Sequence, residues 1–184
     1  MSRSIHKAWI KEALCNILSS TAVDQNISHS LRVPGSKCVQ IVAIREELNL
    51  LTISDGDVFI CAFLTEDAFE ELTNEYSIDT LKYSLVNVVD FCFSTPTQAA
   101  GNRDMTDLSK INGMFPLVLH CFKVTYLGAS DCTVIGNPTA LNNSHTIMNL
   151  VRPFAKRYCN FRERLAITQF PIQRVLPDWG RFLV

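Results

Sequence analysis

Residues 48–76 read LNLLTISDGDVFICAFLTEDAFEELTNEY, and this stretch decides the fold. Residues 50–53 are an apolar run that stops at Ser54-Asp55-Gly56-Asp57. Asp-Gly between two such runs is a strong hairpin signal, because a two-residue turn needs φ > 0 and glycine supplies it without a Cβ clash. Residues 58–64 then resume with apolar side chains in both alternating sets: Val58, Ile60, Ala62 and Leu64, against Phe59, Cys61 and Phe63. That pattern predicts a strand covered on both faces. Thr65 is placed to cap a helix, with Glu66 and Asp67 in its first turn, where the helix dipole favours carboxylates. Phe69, Leu72 and Tyr76 form an inward stripe at helical spacing.

Working outward, residues 39–45 predict a strand before the hairpin, and residues 5–18 an amphipathic helix capped by Ser4. Trp9 lies on the apolar side of that helix and reads as a core anchor. Residues 19–37, with Pro34-Gly35, read as a loop. Downstream, residues 85–93 (LVNVVDFCF) predict strand four, with Asn87 and Asp90 as solvated edge positions. Residues 94–112 read as a long polar loop, and residues 115–127 as strand five. Residues 128–143 read as irregular. Ser144 can cap a helix carrying Ile147, Leu150, Val151 and Phe154, in which Pro153 forces a kink or break. The order is five strands with a helix between the third and fourth, flanked by N-terminal and C-terminal helices. This predicts an all-β class, the five-stranded OB-fold barrel, over residues 1–128. Residues 129–184 form a helical, basic extension whose apolar end is expected to pack on the barrel.

Composition narrows the function. At 184 residues one domain is the expectation, and 47 % hydrophobic with 19 % charged residues describes a globular chain. A net charge of −1 excludes a broadly basic nucleic-acid binder, but charge is unevenly spread. Ten acids and no Lys or Arg lie in residues 46–81, whereas residues 150–184 carry seven bases against two acids. No two of the seven cysteines lie within ten residues, which points to reduced, largely buried thiols in an intracellular protein and not to a zinc site. No uncharged run approaches the roughly 20 residues that span a bilayer, and the start lacks a secretory leader pattern, so no membrane role is expected.

Catalytic signals are missing. There is no phosphate-binding loop, no dinucleotide fingerprint and no nucleophile elbow. His6, His29, His120 and His145 have no partner at ligand spacing, and His120 reads as a partly buried, hydrogen-bonded histidine. Asp55 and Asp57 read as turn residues rather than cation ligands. Glu70 and Glu71 point about 100° apart on a helix and so are no acid/base pair. The expectation is a non-enzyme with no cofactor and no metal.

The opening Trp9-Ile10-Lys11, the strand at 39–45, the hairpin LLTISDGDVFICAFLTEDAF, and the strands LVNVVDF and LVLHCFKVTYL together resemble the OB-fold telomerase-recruitment module. That family includes the free-standing third Ever-Shorter-Telomeres subunit of budding-yeast telomerase. It also includes the N-terminal domain of the shelterin protein called the adrenocortical dysplasia homologue. The resemblance covers residues 5–128 and suits the free-standing yeast subunit better. It implies a non-catalytic accessory subunit in the nucleus, at telomeric chromosome ends; separately, a barrel with covered edges has no need to dimerise, so a monomer is expected. Its implied partners are the telomerase reverse transcriptase and the telomerase ribonucleoprotein. Carried over, the implied partner-binding residues are Glu66, Asp67, Glu70, Glu71, Glu75, Asp79, Thr80, Lys82 and Asp55, where Asp55 serves either the turn or a contact. Trp9 is implied as fold support. Two alternatives stay open. One is weak single-stranded DNA or RNA binding through Arg152, Lys156, Arg157, Arg162 and Arg164. The other is an OB-type scaffold that docks a partner on its apolar C-terminus.

Overall fold

The computed structural model describes residues 7–19, 33, 35–100, 117–129 and 133–158, with nothing said of the side chains of 156–158. The hairpin forms where Asp-Gly predicts it: β2 (Leu50–Ser54) and β3 (Val58–Leu64) pair antiparallel from Leu50↔Phe63 to Ser54↔Phe59. Its turn is wider than the two residues expected. Asp55, Gly56 and Asp57 separate the strands, with Gly56 at φ 91°. Side chains hold this loop. Ser54 Oγ accepts from the Gly56 N–H at 3.0 Å, and Asp55 Oδ1 accepts from the N–H groups of Asp57 and Val58 at 3.1 and 3.0 Å. An aspartate that caps its own turn removes the need for a tight backbone ladder there.

β1 (Lys37–Arg45) pairs with β4 (Leu85–Ser94) through its first half and with β2 through its second. A register shift between Ile41 and Ala43 bends it from one neighbour to the other. β4 pairs antiparallel with β5 (Val118–Gly128). β5 returns to β3 in parallel through Ala62↔Leu119, Phe63↔His120 and Leu64↔Cys121. The circuit β1–β2–β3–β5–β4–β1 therefore closes into the five-stranded OB barrel that the element order predicted. Closure gives β4 two partners over residues 85–88, so Asn87 is not at an edge, whereas Asp90 lies beyond the β1 ladder and is solvated as expected. Asn87 sits half-buried between Cys38 and Thr125, and Asp90 is exposed opposite Lys123.

The inner residues of β3 join one core with Trp9 and with the buried faces of three helices, α1 (Ile10–Ser19), α2 (Glu66–Glu75) and a C-terminal helix. On the outer face, Phe63 packs with Leu48, Leu50 and Val118 against Ala99 and Ala100 of a second cluster. That end of β3 is covered on both sides. The cover is a helix where a loop was expected, spanning Pro96–Ala100. Its local signal is Thr95-Pro96: Thr95 Oγ1 accepts from the Gln98 N–H at 3.4 Å, and proline suits the first helical position. A one-turn helix, α3 (Ile78–Leu81), also precedes β4, so the Pro96–Ala100 helix is α4.

Residues 133–143 are more ordered than the sequence suggests. β6 (Thr139–Ala140) adds to the start of β3 in parallel, Val58↔Thr139 and Phe59↔Ala140. Gln40, fully buried on β1, donates its side-chain amide to the carbonyls of Tyr83 (3.0 Å) and Thr133 (2.8 Å) and accepts from the Ile135 N–H (2.8 Å). Gly136, at φ 78°, lies so close that an added Cβ would fall 2.3 Å from the Gly56 carbonyl oxygen. α5 (His145–Tyr158) then runs through Pro153 without breaking. Buried Val151 before the proline, and Phe154 and Ala155 after it, hold both halves to the core. That packing offsets the roughly 3 kcal/mol a mid-helix proline costs.

α1 begins at Ile10, later than residue 5, and Ser4 and Ile5 lie outside the described residues. Its buried Ile10, Leu14 and Ile17 share the core cluster with Ile147 and Val151 of α5. Of the extension, Arg152 is exposed on α5, while the side chains of Lys156 and Arg157, and all of Arg162, Arg164 and 169–184, lie outside the description.

Candidate functional site

α2 owes its position to two ties at its ends. At the first, Thr65 caps the helix, its Oγ1 accepting from the Ala68 N–H at 3.3 Å, while its own N–H donates to the Cys121 carbonyl of β5 at 3.0 Å. At the second, the Tyr76 ring stacks on Tyr126 of β5, centroids 4.0 Å apart and planes 23° off parallel. Partial burial, then the charge and hydrogen bond of Glu75, raise the Tyr76 phenol above its ordinary range. Between the ties, Ala68, Phe69 and Leu72 are buried.

The opposite face of α2 is acidic. Glu66, Asp67, Glu70, Glu71 and Glu75 are all exposed, and Asp79 and Thr80 on α3 are exposed beyond them. No ion pair among the described residues involves an α2 carboxylate; Lys7–Glu12 (3.3 Å) and Lys11–Asp57 (2.8 Å) lie on other elements. Lys82, half-buried, places its Nζ 5.4 Å over the Tyr83 ring rather than on a carboxylate. Thr80 is partly engaged already: Ser77 Oγ accepts from its N–H at 3.3 Å and shares a 2.8 Å hydrogen bond with its hydroxyl. The geometry thus brings Glu66, Asp67, Glu70, Glu71, Glu75 and Asp79 onto α2 and α3, with no ion pair among the described residues.

Asp55 belongs elsewhere. It is 2 % exposed, and its Oδ2 accepts from the backbone N–H groups of both Trp9 and Ile10 at 2.8 Å. With Oδ1 holding the turn, one carboxylate satisfies four amides and caps α1 from 45 residues away in sequence. Of its two expected uses, turn or contact, the side chain serves the fold, and it offers a partner no surface. Trp9 is 7 % exposed, its ring 5.4 Å from Phe91 and 6.5 Å from Phe93.

Two exposed residues escaped the sequence reading: Val89 on β4 and Phe122 on β5. Strand alternation carries no sign of them, because each sits at a register irregularity. His120, half-buried, sets its ring 4.5 Å from Phe122. The thiols of Cys61 and Cys121 suit no nucleophilic role. Burial pushes Cys61 up to about 12 despite the nearby Arg45 charge, and raises Cys121 well above the ordinary thiol range. Among the described residues, no three His, Cys, Asp or Glu side chains gather to hold a metal. No described helix is long and apolar enough to cross a membrane.

Barrel and face together define an OB-fold protein whose prominent surface feature is an acidic helix. No protein-family model and no curated protein matches the sequence. Among solved structures the chain is similar to the Est3 telomerase subunit of the yeast Hansenula polymorpha, at 15 % identity and a TM-score of 0.44, over 94 % of this chain and 92 % of that one.

Proposed function

We propose that this chain is a non-catalytic accessory subunit of telomerase. It docks on the reverse transcriptase, and through it on the telomerase ribonucleoprotein, by the acidic face of α2, and so promotes extension of chromosome ends in the nucleus. The reading starts from the resemblance of residues 5–128 to the telomerase-recruitment module. The observation that carries it is the row of exposed carboxylates Glu66, Asp67, Glu70, Glu71 and Glu75, none in an ion pair among the described residues, on a helix tied to the barrel at both ends. Such a face attracts a basic protein surface and orients it, while it repels nucleic-acid phosphate. Asp79, Thr80 and Lys82 form its rim.

The test is a pull-down of the reverse transcriptase from the same organism with the intact chain and with Glu70→Lys/Glu71→Lys, both first shown to be folded. Capture by the intact chain and loss in the variant is expected. Equal capture by both would move the interface away from α2. No capture by either would remove the telomerase reading. Binding of single strands near physiological salt, lost when Arg152 and its basic neighbours are neutralised, would replace it.

A further inference from the structure

Val89 and Phe122 are the large apolar side chains that stand exposed among the described residues, 39 % each. Each immediately precedes one member of the Asp90↔Lys123 ladder pair. The β4–β5 ladder runs through Val88↔Val124 and Phe91↔Cys121, with Asp90↔Lys123 between and a register shift on each side of Asp90. A bulge at Val89 on β4 is thus undone by one at Phe122 on β5, and the register recovers. The pair of bulges turns two residues outward on each strand: Val89 and Asp90, Phe122 and Lys123. Barrel curvature can account for the bulges, but it does not require apolar side chains at both bulged positions.

The place of this patch matters. Phe122 follows Cys121, the residue whose carbonyl holds the Thr65 cap of α2. In the β3–β5 ladder Leu64 pairs with Cys121, so Phe122, the next residue, lies beside Thr65, where α2 begins. Glu66 and Asp67 follow Thr65 in the first turn, Asp90 pairs with Lys123 in the ladder, and these four exposed residues carry a net negative charge with no ion pair among the described residues.

We propose that Phe122, with Val89, is the apolar anchor of the docking face whose charged part is α2. The occupant is a basic protein surface with an apolar socket among its lysines and arginines. The proposal rests on the telomerase reading and deepens it. Charge complementarity selects the occupant: a nucleic-acid backbone meets net negative charge here, and a second copy would set acid against acid. An exposed aromatic framed by charged residues is the usual anatomy of an interface centre and its rim. The two parts then divide the work. Charges on α2 set the association rate and its salt dependence, and Phe122 sets the dissociation rate.

The experiment measures association and dissociation of the full chain on the immobilised reverse transcriptase of the same organism, at two salt concentrations. Phe122→Ala is expected to speed dissociation by roughly 30-fold, the effect of losing an aromatic hot spot. Its association rate, salt dependence and urea midpoint stay those of the intact chain. Val89→Ser shifts dissociation the same way by less. If Phe122→Ala and Val89→Ser dissociate like the intact chain while Glu70→Lys/Glu71→Lys loses association, the anchor is overturned and the acidic face stands. If the intact chain does not bind, the telomerase reading and the anchor fall together. If sedimentation finds a dimer that Phe122→Ala dissolves, the seat belongs to a second copy and the proposal is overturned.

Discussion

Asp55 and the carboxylates of α2 lie within one acidic stretch of sequence, yet they end in opposite circumstances. Asp55 is buried, and its two oxygens accept from four backbone N–H groups on two elements. Glu70 and Glu71 are exposed and without an ion pair among the described residues. A carboxylate that must leave water has to find donors, because the desolvation it suffers is large. One that stays in water needs none, and keeps its charge available to a partner. The same residue type is a rivet in one place and an instrument of recognition in the other.

The sharpest way to break this contrast is Asp55→Ala. It leaves the first amides of α1 and two turn amides without their acceptor, and a loss of about 3 kcal/mol or more in urea unfolding is expected. A variant as stable as the intact chain would return Asp55 to the surface role. Gly136→Ala comes next. Its Cβ would strike the Gly56 carbonyl at 2.3 Å, next to the Asp55 turn, and φ is 78° as well. A cost of about 2–3 kcal/mol is expected, against about 1 kcal/mol for Gly35→Ala, which shares φ 78° but meets nothing within 4 Å. Equal urea midpoints for the two alanine variants would show that the 133–136 segment yields.

Smaller effects sharpen the other side. The folded protein holds Cys61 and Cys121 protonated above the ordinary thiol value of 9.0, so the unfolded chain binds fewer protons once pH passes that value. The thiol contribution to stability is therefore constant below pH 9 and falls as pH rises toward 12. Urea midpoints between pH 7 and 10.5 should show that decline, and Cys121→Ala should flatten it. Least of all, Glu70→Lys/Glu71→Lys should leave the midpoint unchanged or slightly raised, since it relieves repulsion without breaking a contact. A marked loss of stability there would mean that those side chains serve the fold after all.

What could be read in advance was local. Asp-Gly placed the hairpin, Thr65 the start of α2, and the spacing of Phe69 and Leu72 its buried face. Each signal acts over a few residues, so no distant contact is needed to interpret it. Thr95-Pro96 is an equally local signal for α4, masked by the polar segment around it. The capping of α1 by Asp55 and the clamp from Gln40 to Ile135 had no such signal, because donor and acceptor are 45 and 95 residues apart. The paired bulges were also hidden. A one-residue slip in each strand exchanges inward for outward positions, and alternation alone sets Val89 and Phe122 no differently from their neighbours.

The barrel's element order and the concentration of acid between residues 46 and 81 follow from the chain alone, since periodicity and composition need no distant contact. Only the tertiary structure decided which acids face water. Closure of β3 onto β5 buries one side of α2 and leaves the other without an ion pair among the described residues, while packing of α1 against the hairpin draws Asp55 inside. Burial depends on what folds over a residue, and the partners that fold over these are remote in the chain.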